Sequence, residues 1–415
     1  MMVQDAFCYA KEKYEEIGVD VEKALDMLDK IPVSVHCWQL DDVSGFEKCG
    51  QLSGGIAATG NYPGKARDFS ELKMDLKKAL SYIPGKNKVN VHAIYQSDFI
   101  SERNAIGPKN YAGWVEFAKE EKVGLDFNPT YFSHPKSDDG YTLSHKDEGI
   151  RQFWVEHGKK CREVAEYFGK STGEVCVNNV WIPDGEKEVP VDGFLPRIRL
   201  KNSLDEIFKE DLGSHHINAV ESKLFGIGSE AYVVGNHEFY MGYCMENKDI
   251  ALTLDTGHFH PTEQVSAKIT SLLVYLDKIL LHVSRPIRWD SDHVVSFDDE
   301  TRNVFREIAK LDAFDKVMIA TDYFDASINR VLALAIGARN TKKALLEALL
   351  LPVERLKELE NENDKTLRLL FLEELKTYPL GAVWEYYCYK NNCPIGQSLI
   401  DDAKSYENEV LAKRV

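Results

Sequence analysis

The chain has 415 residues, 44% of them hydrophobic and 28% charged, enough to bury a sizeable core in one large barrel with appendages or in two ordinary domains. Its 51 Lys and Arg stand against 67 Asp and Glu, and the formal charge of −16 repels nucleic-acid phosphates and anionic membrane surfaces. A small neutral ligand or a metal ion is the partner to expect, with no nucleic acid and no membrane.

Residues 1–16 are polar and charged, without the apolar stretch and small-residue cleavage site of a signal peptide. No apolar run approaches the roughly 20 residues of a membrane helix. Cys8, Cys37, Cys49, Cys161, Cys176, Cys244, Cys388 and Cys393 form no CxxC pair and no zinc spacing, which fits reduced thiols and a cytoplasmic location.

Residues 6–30 read as a helical preface. Short apolar runs rich in β-branched residues then recur at 33–40, 88–95, 123–129, 174–182, 217–225, 250–257, 279–285 and 316–322. Between them, helical periodicity covers 68–82, 111–122, 149–169, 229–246, 262–278 and 299–311. Eight strands in alternation with helices predict an α/β fold, a (β/α)8 barrel of the TIM type. Residues 54–67 and 183–196, rich in Gly, Pro and charge, are expected as loops over the C-terminal mouth. Amphipathic stretches at 345–372 and 404–414 predict a C-terminal helical extension. The expected organisation is a helical segment at 1–30, a catalytic barrel at 31–326 and an extension at 327–415 whose apolar stripes suit an oligomer contact.

Chemistry concentrates at the C-terminal ends of strands five to eight, where barrel enzymes carry their catalytic groups. Glu221 and Lys223 lie two apart in NAVESKLF, so both point to one face of a strand. Asp255 ends its strand in LTLDTGHFHP, and His258 follows a Gly turn. LLHVSRPIRWDSDH supplies His282 on a strand and the cluster Asp290, Asp292, His293 beyond it, while IATDYF ends on Asp322. Five carboxylates in one cavity cannot stay uncompensated, and two divalent cations together with Lys223 would cancel their charge. Mixed carboxylate and imidazole donors without Cys suit Mn²⁺, Co²⁺, Mg²⁺ or Zn²⁺. No GxGxxG follows a strand, so a nicotinamide is not expected.

The strings VHAIY, FNPTYFSHP, NNVWIPDG, ESKLFGIGSE, LDTGHFHPTE, HVSRPIRWDSDHVV and IATDYFDASINR closely resemble the L-rhamnose isomerases, over nearly the whole chain. That resemblance implies a homotetrameric aldose–ketose isomerase related in fold to xylose isomerase, converting L-rhamnose to L-rhamnulose with two divalent ions, Mn²⁺ foremost. Carried over residue by residue, it assigns His258, Asp290 and Asp292 to a catalytic metal. Glu221, Asp255, His282 and Asp322 go to a second, substrate-binding metal, with Asp255 and Glu221 among the bridging groups. Lys223 matches a substrate-facing lysine, and Trp38, His92 and Trp181 match groups lining the sugar pocket. The catalytic roles expected are Asp322 holding the solvent molecule that acts as base, Lys223 polarising O1, and His92 assisting ring opening.

Each residue also has a plainer reading. A lone Asp at a strand end is usually a helix cap, Lys223 could simply neutralise Glu221, and Trp38 could be barrel core. His293 and His260 stay unassigned. A ketose 3-epimerase or a phosphodiester hydrolase on the same barrel, or an inactive sugar-binding protein, are the competing functions. A 3-epimerase would use paired glutamates, whereas the cluster holds Glu221 and otherwise aspartates.

Overall fold

The structure is a computed structural model, and it describes residues 3–47, 58–222, 230–260, 262–285, 287 and 292–414. Eight parallel strands close into a barrel: β1 (Val33–His36), β2 (Asn87–His92), β3 (Gly124–Asn128), β4 (Cys176–Val180), β5 (His216–Glu221), β6 (Ile250–Asp255), β7 (Ile279–Val283) and β8 (Val317–Thr321). Each strand pairs with its neighbours in sequence, and β1 closes the ring on β8 with Val33 opposite Ile319 and Ser34 opposite Ala320. Both faces of the strands are covered, so β6, β7 and β8 read as largely apolar runs, while β2 to β5 also bury polar residues such as Asn90, Asp126, Asn178 and Asn218. Val177, Ala219, Ala251, Leu280 and Ala320 pack together as a small cluster separate from the large outer cores.

The helices following the strands begin where short polar residues can cap them. Asp68, Asp147, Asn236, Asp298 and Asn329 each accept a main-chain N–H from the first turn of α3 (Phe69–Leu80), α5 (Glu148–Thr172), α7 (His237–Glu246), α9 (Asp299–Leu311) and α10 (Arg330–Leu349). α4 (Ala112–Glu121), α6 (Leu195–Phe208) and α8 (Ser266–Leu273) complete the outer ring. The preface is two helices, α1 (Val3–Glu15) and α2 (Val21–Leu28), broken near Gly18, which takes a left-handed φ of 79°. Beyond α10 come α11 (Val353–Asn361), α12 (Lys365–Leu375), α13 (Leu380–Lys390) and α14 (Gly396–Glu409). α13 lies on α1, where Phe7 and Tyr386 stack with ring centroids 3.7 Å apart.

All eight expected strands are present. The first is shorter than the sequence run, because the chain tightens into a 3-10 turn over Cys37–Leu40 and Trp38 sits on that turn. The helix expected over 229–246 starts only at His237; ahead of it Tyr232–Val233 pairs antiparallel with Gly185–Glu186. The loop expected over 183–196 therefore contains half of a two-stranded ribbon and yields to α6 at Leu195. The helix expected over 262–278 contracts to Ser266–Leu273. The stretch 345–372 is the end of α10 followed by two helices, separated at Pro352 and Asp364. Among the described residues no helix is long and apolar enough to cross a membrane.

Candidate metal centre

Strand ends bring the expected donors together. Glu221 closes β5, Asp255 closes β6, His282 lies in β7, and Asp322 follows β8, with Asp255 opposite His282 in the β6–β7 register. One donor atom from each of these four residues lies within 4.8 Å of the others, and a second group of Asp255, His258 and Asp292 meets the same limit. Asp255 belongs to both. All but Asp322 are buried, and Asp322 is only partly exposed. Lys223 and Asp290 fall outside the described residues.

The surrounding hydrogen bonds leave donor atoms facing the centre. Asp255 Oδ1 accepts the Gly257 N–H at 2.7 Å and the Ser284 hydroxyl at 3.2 Å, while its buried Oδ2 has no hydrogen-bond partner among the described residues. That Oδ2 lies 3.8 Å from His258 Nε2 and 3.9 Å from His282 Nδ1, so it faces both groups. His282 Nδ1 stands 3.2 Å from Glu221 Oε2 and 3.5 Å from Asp322 Oδ2 without a hydrogen bond to either. An imidazole nitrogen and carboxylate oxygens that converge without bonding one another are placed as ligands of a common ion are placed. His258 Nδ1 donates to the Ser222 carbonyl at 3.0 Å and also lies 3.1 Å from Glu221 Oε1, so that nitrogen is committed to the protein and Nε2 turns to the centre, 3.8 Å from Asp292 Oδ1.

Gly257 is a steric requirement of this arrangement. A Cβ there would stand 2.7 Å from Ser284 Oγ and 3.0 Å from Asp292 Oδ1. Glu221 Oε2 accepts from Asn179 Nδ2 at 2.5 Å, and Asn179 Oδ1 accepts from the Thr253 hydroxyl at 2.7 Å, a chain that crosses three strands.

Electrostatics agree with a cation-seeking site. Burial, and then the negative charges of Asp292, Glu221 and Asp322, hold Asp255 well above the usual carboxylate range despite His258. Burial would lower His282, but Glu221 and Asp322 push it well above its ordinary value. Burial would raise Glu221, yet His282 and His258 outweigh it and hold it well below. Protons gather on Asp255 and His282 where a divalent ion would otherwise balance the charge. The oxygen and imidazole donors fit Mn²⁺, Mg²⁺, Co²⁺ or Zn²⁺.

Above the donors is a pocket lined by Trp38, His92, Asn128, Phe132, Trp181 and Phe324, among others, with Glu221, His258, Asp292 and Asp322 also reaching it. Trp38, His92, Phe132 and Trp181 form an arc of edge-on rings whose successive centroids are 4.6, 5.5 and 5.9 Å apart. Trp38 does more than line the wall, since its Nε1–H donates to Asp322 Oδ1 at 3.0 Å. Burial lowers His92 to about 4, so its ring is neutral near pH 7. His260 is not among the residues lining this pocket; it is half-buried and bonded to the Thr262 hydroxyl. Asn179, Gly257, Ser284 and Phe132 were not singled out from sequence. Adjacent asparagines inside a buried strand, a place asparagine disfavours, were the available signal for Asn179.

A family model described as "L-rhamnose isomerase (RhaA)" matches residues 1–414. The chain belongs to the L-rhamnose isomerase family. It is an isomerase of that family, 55% identical over 415 residues to the L-rhamnose isomerase of Klebsiella pneumoniae (strain 342), covering 99% of each chain. The L-rhamnose isomerase of Escherichia coli (strain K12) is 54% identical over the same length, again covering 99% of each. Family membership sets aside the epimerase, hydrolase and inactive binding-protein readings. Among solved structures, one titled "Structure of L-ribulose 3-epimerase" matches with a TM-score of 0.51 at 12% identity, covering 79% of this chain and 97% of that one. At that identity it speaks for the shared barrel alone.

Proposed function

We propose that this chain interconverts L-rhamnose and L-rhamnulose in the open-chain form, the C2 hydrogen passing directly to C1 as hydride. The observation that carries the reading is the pair of donor groups sharing Asp255 Oδ2 at the floor of an aromatic-walled pocket. We assign Glu221, Asp255, His282 and Asp322 to one divalent ion, and His258, Asp292 and Asp290 to the other, Mn²⁺ foremost in both. Such ions supply Lewis acidity, spreading negative charge that develops on the sugar oxygens at C1 and C2.

The chain's own residues do the rest. Asp322, tied to Trp38 through Oδ1, steers the proton leaving the C2 hydroxyl through its other oxygen. Lys223 polarises O1 and returns a proton there, which balances the proton lost at O2. Trp38, His92 and Trp181 shape the sugar wall and exclude water. Among the described residues lining the pocket, His92 is the titratable group outside the two donor sets, and with a pKa lowered to about 4 it is too weak a base to strip carbon-bound hydrogen from C2. That lack of a base among the described residues supports direct transfer.

L-rhamnose deuterated at C2, turned over in ordinary water, is expected to carry most of its label to C1 of the ketose. Extensive washout would overturn the hydride reading. Exhaustive chelation should abolish ketose formation and Mn²⁺ should restore it; turnover that survives chelation would overturn the metal reading. We infer further that the enzyme works as a homotetramer in the cytoplasm. The exposed Leu367, Leu369 and Leu370 on α12, a helix with no buried residue, support association.

A further inference from the structure

The loop after β3 is held from beneath by groups with no place among the donors. Arg103 is 2% exposed, and its guanidinium donates to the carbonyls of Thr130 at 2.6 Å, Phe132 at 2.7 Å and Ser133 at 3.3 Å. Its Nε donates to Glu47 Oε2 at 2.9 Å, so the buried charge is paired. His157 reaches the same loop from α5: its Nε2 accepts the Thr130 N–H at 3.0 Å, and its Nδ1 donates to the Arg103 carbonyl at 2.9 Å. Ser133 is drawn into a left-handed conformation with φ 54° at the end of this clamp. Both main-chain polar groups of Thr130 are thereby fixed, and its side chain has one place to go.

That place is His92. Thr130 Oγ1 lies 3.0 Å from His92 Nδ1, and both residues are buried. Two proton arrangements satisfy the distance. If Nδ1 carried the proton, the Thr130 hydroxyl hydrogen would need a second acceptor, and among the described residues His92 is the only hydrogen-bond partner of Oγ1. If the hydroxyl donates to Nδ1, both atoms of the contact are used, and the ring proton lies on Nε2, in a residue that lines the pocket. Leaving a buried hydroxyl hydrogen unsatisfied costs on the order of 1–3 kcal/mol, so the second arrangement wins.

We propose that Thr130 is a positioning residue: its hydroxyl donates to His92 Nδ1 and so fixes the tautomer in which His92 offers an Nε2–H to a sugar oxygen in the pocket. Arg103 and His157 hold the main chain of Thr130, and through it the hydroxyl that orients His92. The donor role rests on the isomerase reading above, whereas the tautomer does not.

The test uses the full-length chain labelled with ¹⁵N-histidine, with the His92 resonances identified from a His92→Gln variant. In the unmodified chain and in Thr130→Ser, Nε2 is expected in the protonated range and Nδ1 in the unprotonated, hydrogen-bonded range. Thr130→Val keeps the shape and the main-chain bonds, and should shift Nδ1 out of the hydrogen-bonded position. Its kcat/KM with L-rhamnose should fall roughly tenfold, one hydrogen bond's worth, and return in Thr130→Ser. A proton found on Nδ1 in the unmodified chain would overturn the proposal. So would a Thr130→Val enzyme with unaltered His92 shifts, or a Thr130→Ser enzyme as impaired as Thr130→Val. An unmodified chain that fails to isomerise L-rhamnose would refute the function, while the nitrogen shifts would still decide the tautomer.

Discussion

At Asp255 one carboxylate oxygen is committed to the protein, through Gly257 and Ser284, and the other faces two sets of donors. Asp292 belongs to one set only. Asp255→Asn is therefore expected to empty both metal positions, and Asp292→Asn one, a difference that metal content per chain by mass spectrometry resolves directly. Either change should lower turnover at least about a hundredfold. Without metal, Asp255→Asn should melt above the unmodified chain, since an amide is uncharged without having to take up a proton in a buried, crowded set, while losing the stabilisation that Mn²⁺ gives the parent. Equal metal loss in the two variants would contradict the shared role. The grouped donors were legible in sequence because Glu221 and Asp255 end strands and His258, His282, Asp292 and Asp322 lie in unusual strings in or just beyond strands. Their supports were not: His258 is oriented by the main-chain carbonyl of Ser222, which no side chain advertises, and Trp38, legible as a wall residue, reaches Asp322 across the closed barrel.

α10 shows what periodicity can and cannot reveal about an element. Val331, Leu334, Ala335, Ala338, Leu345 and Leu346 are all buried, and so are Arg339 and Lys342, because the helix is packed between α9, α3, α2 and β1. A helix covered on nearly all sides has no polar face, so the amphipathic signal emerges only toward its end. α6 escaped for another reason: Pro196 in a Gly- and Pro-rich stretch reads as loop, although proline is at home in a first helical turn. The strands, each with β-branched or other apolar residues at its centre, were legible in number and order, though the first ends earlier than its run. Lys342 gives α10 a measurable signature. Burial lowers its pKa to about 7, against 10.5 ordinarily, and its Nζ donates to the Lys86 carbonyl at 2.7 Å. Between those values the unfolded chain holds a proton that the folded chain lacks, so this group's contribution to stability rises with pH from about 7 to 10.5 and is lost as pH falls to 7. Lys342→Met should stabilise the protein at pH 6 by about a few kcal/mol, and progressively less toward pH 10. The urea midpoints of both chains across that range test it; a pH-independent difference would refute it.

For the molecule as a whole, light scattering of the full-length chain is expected to give the mass of four subunits, and charge at Leu369 and Leu370 on α12 should reduce it. A monomer in the unmodified chain would refute the assembly. Mouth and barrel were legible together because eight strands in alternation with helices leave one end for chemistry; the tetramer is implied by the family resemblance, since a surface carries no record in sequence of what covers it. The seam between β1 and β8 has one more consequence. Trp38 and Asp322, separated by 284 positions in sequence, meet across it through a single hydrogen bond. Loops of that length close late and at an entropic cost, so a refolding chain assembles most of its local structure before its two ends meet. Catalysis is then a clock for the final event of folding: turnover returns with the closing of the ring, after the recovery of helix, and no fragment lacking either end can keep this bond.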